Sequence, residues 1–284
     1  MKENNFKPFQ FFMCKDDKAT ITVDVSKRSS RLLNRLLFGK FAEHLGKNIY
    51  NGMWAQILQN ASFSAWHYFY PLYKEFGRKG ESRFKDFPVD KLMAAYARGV
   101  ACWWLPYGDN SAFYLLDLTR PFNSDTCQQI VVKSGKEETG VEQPIYLPVH
   151  RILDYTATFH ICGKIKGEIK ISFVKNGEEI DSKEIKDIEE NWKEYKVKLK
   201  VFKGAVNSGE IVYFRIGLIG TGKFWLDQVF LFPDDNINGF DPDVVRLIKE
   251  SKISILRFPG GNFVSGYHWK DGIGPVISRP VRVN

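Results

Sequence analysis

The sequence predicts an α/β protein interrupted by an all-β insertion: an antiparallel β-sandwich lying between two units that each join a strand to a helix. Three observations carry that expectation. From about residue 91 to 233, short alternating runs of apolar and polar residues follow one another with Gly, Pro, Asn and Asp between them and no helical period. Before them, Leu36 to Glu43 reads as an apolar strand leading into a helical spacing. After them, a capped amphipathic helix runs into the short apolar stretch Ile253 to Phe258 and the turn Pro259-Gly260-Gly261.

Taken in order, "ATITVDVS" (19–26) alternates as a strand does, and Leu36 to Glu43 forms the second, more apolar strand. In "NIYNGMWAQILQN" the spacing of Ile49, Met53, Gln56, Ile57 and Asn60 suits a helix or a helical turn, which leaves Glu43 and His44 near the carboxyl end of the preceding strand. The insertion supplies "SAFYLLDLT", "TCQQIVVK", "GVEQPIYLPV", "DYTATFHICGK", "GEIKISFVK", "WKEYKVKLKV", "GEIVYFRIGLI" and "GKFWLDQVFLFP" as strands. Beyond it, Asp241 is a good N-cap, Pro242 suits the first helical position, and Val244, Val245, Leu247 and Ile248 give the helix an apolar stripe. Proline and paired glycines end the strand that follows, because proline cannot donate to a ladder and glycine permits close approach. Loops at the carboxyl ends of parallel strands carry the sites of α/β proteins, so Asn262, Tyr267, His268, Trp269 and Asp271 are candidates by position. The expected division is 1–90 for the first strand and β/α unit, 91–233 for the sandwich, and 234–284 for the second unit with its loop.

Composition narrows the function classes. With 284 residues, 44% hydrophobic and 15% aromatic, the chain has ample material for a core. Its net charge of +8 is spread, and in "KGEIKISFVKNGEEIDSKEIKDIEENWKEYKVKLKVFKG" both signs alternate, as on a solvated sheet face, so no nucleic-acid partner is expected. Cys14, Cys102, Cys127 and Cys162 show neither a CxxC pair nor a metal-like grouping with histidine, which predicts reduced thiols, no metal and no disulfide framework. No secretory leader or membrane-length apolar run is evident, so the expected location is the cytoplasm, without membrane contact. Trp103, Trp104, Tyr107 and Trp192 offer a possible aromatic platform for a glycan, whereas "WLDQVFLFP" reads as a core strand.

Two segments, "FGKFAEHLGKNIYNGMWAQILQNASF" and "KISILRFPGGNFVSGYHWKDGIGPVISRPVRVN", resemble the first and second barrel strands of the α-L-arabinofuranosidases of glycoside hydrolase family 51, and the section between them looks like the carbohydrate-binding-module-like sandwich that some members insert there. The resemblance implies the first two β/α units of a (β/α)8 TIM barrel, incomplete in this chain and interrupted by a jelly-roll-like domain. It implies retaining hydrolysis of terminal non-reducing α-L-arabinofuranosyl residues from arabinan and arabinoxylan oligosaccharides, with no cofactor or metal. The implied partners are an arabinofuranosyl-containing oligosaccharide, the remainder of the barrel from the same chain or another, and further copies in a homo-oligomer.

A retaining glycosidase needs two carboxyl groups about 5 Å apart. In the family both lie downstream of the Arg-Pro motif, and this chain stops at "SRPVRVN", so no catalytic residue is expected within it and the chain alone is expected to be inactive. By the same resemblance Glu43 and Asn262 bind sugar hydroxyls, Tyr267 and Trp269 line the pocket wall, and Arg257 supports the nucleophile carboxylate. The bland alternatives are a helix-capping Glu43, an Asn262 chosen for its turn, and core packing for the two aromatics. His44 and His268 are read as packed residues or as supports behind the site, and neither as a general base. "NASF" departs from the family's Asn-Arg-x-Phe by placing Ala61 where a long basic side chain is usual. The competing functional readings are a non-enzymic glycan-binding sandwich and one subunit of a split glycosidase.

Overall fold

The computed structural model describes residues 21–26, 30–44, 48–64 and 89–280. In chain order these contain β1 (Lys40–Phe41), α1 (Val89–Ala97), β2 (Leu105–Tyr107), β3 (Phe113–Asp117), β4 (Cys127–Val132), β5 (Thr139–Tyr146), β6 (Asp154–Lys175), β7 (Glu178–Ile185), β8 (Lys193–Lys200), β9 (Ile211–Pro233), α2 (Pro242–Glu250) and β10 (Leu256–Arg257), with short 3-10 turns besides.

Two long strands set the architecture. β6 and β9 pair antiparallel from Tyr155 opposite Pro233 to Val174 opposite Tyr213. Tyr155 and Phe173 both belong to β6, yet their rings lie 5.6 Å apart in the core. On a flat strand they would be on the order of 60 Å apart. The pair of strands therefore folds over on itself, and the corner is where Gly167 faces Gly220. Both have φ in the left-handed region, +130° and +135°, and a Cβ on either would stand 2.0 Å from a carbonyl oxygen of the opposite strand. Only glycine fits there.

The register divides the curled sheet into two faces. On one, β3, β4, the second half of β9, the first half of β6 and β8 lie side by side; on the other, β2, β5, the first half of β9, the second half of β6 and β7. Alternate residues point inward, among them Phe159, Ile161, Ile171, Phe173, Phe214, Ile216, Phe224 and Leu226, all fully buried. The sandwich expected for the middle of the chain is thus present, with differences at its rim. The stretches read as four strands on either side of Gly163 to Gly167 and of Gly220 to Gly222 are two continuous strands, because the corner glycines bend the ladder without ending it. The helix α1, with Leu92 in the core, was not anticipated.

The segment before the sandwich behaves differently from its periodicity. Residues 48–60 form turns around Ile49 to Met53 and no helix. From Trp54 onward the backbone is used by the sandwich and the turn just after it instead: Ala55 N–H donates to Gly239 O in that turn at 2.8 Å, Ile57 N–H to Leu231 O of β9 at 3.0 Å, and Val229 N–H of β9 to Ala61 O at 2.7 Å. Gln56 and Gln59 reinforce this, Gln56 Oε1 accepting from Leu231 N–H at 2.7 Å and Gln59 exchanging two bonds with the Gln143 side chain at 2.7 and 3.0 Å. Leu58 and Phe63 enter the same core, Phe63 stacked 5.0 Å from Trp104.

Two further expectations need correcting. Of the first predicted strand, residues 19 and 20 lie outside the described residues and 21–26 form no strand; Asp24 Oδ1 accepts from Ser26 N–H at 3.0 Å in a local turn. Of Leu36 to Glu43, Arg35–Phe38 is a 3-10 turn capped by the Asn34 side chain, and only Lys40–Phe41 is strand. The helix at Pro242–Glu250 forms as read, Asp241 accepting from Asp243 N–H and Val244 N–H at 2.9 and 3.2 Å.

Candidate sugar site

β1 and β10 run parallel, Lys40 opposite Leu256 and Phe41 opposite Arg257. Lys40 N–H donates to Ile255 O at 3.0 Å and Ala42 N–H to Arg257 O at 2.8 Å. Parallel strands release their following loops at the same end. Glu43 lies just past β1, and Gly260 and Gly261 just past β10. Both glycines have left-handed φ, +53° and +46°. Gly260 packs on the Phe41 ring, and a Cβ on Gly261 would stand 1.6 Å from Glu43 Oε2 and 2.6 Å from its carboxyl carbon. The close approach read into the Gly-Gly pair is therefore made by the Glu43 carboxylate.

Asn262 follows directly, exposed, at the start of the 3-10 turn Asn262–Gly266. Tyr267 is half-buried, its ring 5.5 Å from Phe263 and 6.1 Å from Phe258. His44 completes this aromatic group, 4.9 Å from Phe263, 5.9 Å from Phe258 and 5.4 Å from Tyr50. Burial lowers the His44 pKa, which favours the neutral ring, and its Nδ1 has no hydrogen-bond partner among the described residues. Arg257 is exposed, its guanidinium 5.3 Å above the Phe41 ring, a cation–π contact that leaves the fork of donors turned to solvent. Trp269 is 63% exposed, with Lys270 Nζ 5.8 Å from its ring, and is therefore no part of a core. The structure thus brings Glu43, Gly261 and Asn262 together and stacks Tyr267 on the aromatics behind them, while Arg257 and Trp269 stand outward. The roles of Phe258, Phe263 and Tyr50 as a wall around His44 were not read from sequence; the only signal was the aromatic density of "RFPGGNFVSGYHW".

The second helix is held against the sandwich by Arg151, which binds Asp235, Asp241 and Asp243 at 2.9, 2.8 and 2.9 Å. Fixing Asp241, the N-cap, fixes where α2 starts and hence the approach of β10.

The four aromatics weighed as a glycan platform on the insertion do not share an exposed face. Trp104 is fully buried and Trp103 nearly so. The Tyr107 hydroxyl donates to Glu138 at 2.5 Å beneath the Arg215 guanidinium, 4.7 Å from the ring. Trp192 donates to Arg120 O at 3.1 Å and packs beside Cys127, Cys162 and Trp225. Large rings gain most when buried, so aromatic richness here marks the core and its edges. The described cysteines Cys102, Cys127 and Cys162 are free and buried, and no cluster of metal-binding side chains occurs among the described residues. No described helix is long and apolar enough to cross a membrane.

No protein-family model matches the chain. It is 54% identical over 52 residues to the intracellular exo-α-(1→5)-L-arabinofuranosidase of Halalkalibacterium halodurans, and equally so to intracellular exo-α-(1→5)-L-arabinofuranosidase 1 of Bacillus subtilis. In each case the match takes in 18% of this chain and 10% of the relative, so the chain spans about a tenth of the length of the curated relatives it matches. Among solved structures, an arabinose-bound MgGH51 α-L-arabinofuranosidase superposes on 90% of this chain and 40% of its own, with a TM-score of 0.66 and 20% identity. That likeness is one of fold and fits a partial barrel joined to a β-sandwich. The chain thus resembles curated α-L-arabinofuranosidases over one short stretch of sequence, and a glycoside hydrolase family 51 α-L-arabinofuranosidase in overall fold.

Proposed function

We propose that the chain carries one side of the sugar pocket of a retaining α-L-arabinofuranosidase that removes terminal non-reducing α-L-arabinofuranosyl residues from arabinan or arabinoxylan oligosaccharides. The observation that carries this reading is the apposition of the Glu43 carboxylate and Gly261 at the shared carboxyl end of two parallel strands, with Asn262 beside them. A carboxylate held against backbone with one face open accepts hydrogen bonds from hydroxyls, and an exposed amide both donates and accepts. Tyr267 and Trp269 supply flat apolar faces for the sugar ring. Arg257, exposed and stacked on Phe41, is the proposed support for a nucleophile carboxylate contributed from outside this chain.

The division at residues 91 and 233 belongs to the same proposal: the sandwich in 91–233, and the pocket strands in 1–90 and 234–284. Glu43 has the role of a binding group, and a retaining mechanism needs an acid/base and a nucleophile besides. The 284-residue chain alone is therefore inactive on this reading. The names of the matched relatives include the word intracellular, which supports a cytoplasmic location for this chain too. The test is hydrolysis of 4-nitrophenyl α-L-arabinofuranoside by the polypeptide of the uninterrupted reading frame, as the parent and as Glu43→Gln. Activity in the parent and a large loss in the variant support the reading; an inactive parent, or an unimpaired variant, contradicts it.

A further inference from the structure

One loop of the sandwich grips both segments that carry the pocket. Between β3 and β4, Ser124 Oγ donates to Ser62 O at 2.8 Å and Thr126 Oγ1 to Phe63 O at 2.6 Å, on the segment that follows β1. From the same loop the Asn123 side-chain amide donates to Ile277 O, and to Arg279 O at 3.0 Å, at the far end of the segment that follows β10. That segment is a succession of short turns closed by local bonds. Asp271 N–H donates to His268 O at 2.8 Å, Ile273 N–H to Lys270 O at 3.2 Å, Ser278 N–H to Pro275 O at 3.0 Å, and Arg279 folds its guanidinium onto Gly274 O at 3.0 and 2.7 Å. Such turns define local shape and leave the placement of the whole to contacts from outside.

Asn123 is itself fixed. Asp227, fully buried in β9, accepts from Phe122 N–H at 2.9 Å and Asn123 N–H at 3.3 Å through one carboxylate oxygen, and from Gln228 N–H at 2.8 Å through the other. The Phe122 ring lies stacked 4.0 Å from His160 of β6. The amide that reaches Ile277 and Arg279 is thus mounted on the sandwich core and not on a free loop tip.

We propose that Asn123 is a positioning residue for the pocket: by holding the 277–279 turn it sets where the preceding turns present Tyr267 and Trp269. The sandwich then acts as a buttress of the sugar site. This rests on the reading of the 262–280 segment as part of the pocket. It would make loss of the Asn123 amide felt in substrate binding while the fold stays intact.

The test uses Asn123→Asp, which keeps the shape and removes both N–H donors, and Asn123→Ala. Hydrogen–deuterium exchange of the 284-residue chain should be about tenfold faster in peptides covering 262–280, with β6 and β9 unchanged. In the polypeptide of the complete reading frame, KM for the arabinofuranoside should rise on the order of tenfold with kcat changed less than about twofold. Unchanged exchange in 262–280 overturns the proposal, as does acceleration spread equally through the sandwich, which would make Asn123 a residue of the fold. Faster exchange with unaltered KM also overturns it. If the parent lacks arabinofuranosidase activity, the proposed function falls, while the exchange comparison still decides whether Asn123 holds the segment.

Discussion

The Glu43 carboxylate occupies the place that any side chain at residue 261 would need: a Cβ on Gly261 would stand 1.6 Å from Glu43 Oε2. Residue 261 also has φ +46° and ψ −159°, a conformation that L-residues adopt only with strain. Gly261→Ala should therefore displace Glu43 at a local cost of roughly 1–3 kcal/mol. The sandwich lies elsewhere and its thermal transition should not move. A crystal structure of the variant, with calorimetry alongside, checks both statements; a carboxylate left in place would contradict the first.

Glu43→Gln keeps the shape of the side chain and removes its charge. A hydrogen bond from a sugar hydroxyl to a charged acceptor is worth roughly 1.5–3 kcal/mol. The expected loss in kcat/KM is about ten- to several-hundred-fold in the complete polypeptide, larger if the bond tightens as the ring approaches its flattened transition state. Glu43 is only partly buried, so the melting temperature should change little.

Phe63 tests how far the sandwich depends on the segment before it. The ring is fully buried, stacked on Trp104, and belongs to the same core as Leu92 and Val141. Phe63→Ala should cost about 3–5 kcal/mol, read as a shift of the urea midpoint at constant m-value. A cost below about 1 kcal/mol would mean that the sandwich closes without this segment.

Asp227 gives the sandwich a pH signature. Burial pushes its pKa from the ordinary 3.8 up to about 7, against the three backbone N–H donors that favour the charged form. Because the folded value lies above the unfolded one, folding takes up a proton between them. The contribution of this group to stability is full below 3.8 and declines as pH rises to about 7. Asp117, Glu210 and Asp243, whose pKa values are lowered, act in the opposite direction at lower pH. The informative quantity is the parent minus Asp227→Asn: this difference should fall between about pH 4 and pH 7 and be flat above. A flat difference throughout would show that Asp227 titrates normally.

How much of this was legible in the sequence differs from element to element. The helix α2 was, because Asp241 and Pro242 are chemically suited to a helix start whatever surrounds them. The alternating strands of the sandwich were, since one face of each is buried. The helical spacing in residues 48–60 misled, because the N–H and C=O groups of its later part are consumed by pairing with β9 and Gln143, which a local pattern cannot reveal. The burial of Trp103 and Trp104 is not legible, because sequence records aromatic content and not the direction in which a ring points. At the end of the β1–β10 pair, Glu43 and the paired glycines are legible as residue types; that the one fills the space beside the other depends on the parallel pairing of β1 with β10, which brings together parts of the chain far apart in sequence.

The open apolar surface of the strand pair gives a further expectation. Leu36, Leu37, Phe38 and Phe41 are each more than half exposed, Leu256 and Phe258 are exposed beside them, and no residue of α2 is buried. Parallel strands are ordinarily covered on both faces. The isolated chain should bind a hydrophobic dye and associate in a concentration-dependent manner, and Phe38→Ser with Leu37→Ser should reduce both without lowering the sandwich transition. A monomer that binds no dye would contradict this.

The central claim is that these residues form one side of an arabinofuranosidase pocket whose catalytic carboxylates come from outside the chain. The most direct measurement compares hydrolysis of 4-nitrophenyl α-L-arabinofuranoside by the purified 284-residue chain and by the polypeptide of the uninterrupted reading frame, with the anomer of the released sugar followed by NMR. The account predicts no turnover by the former and hydrolysis with retention of configuration by the latter. Turnover by the 284-residue chain itself, or none by either, would contradict it.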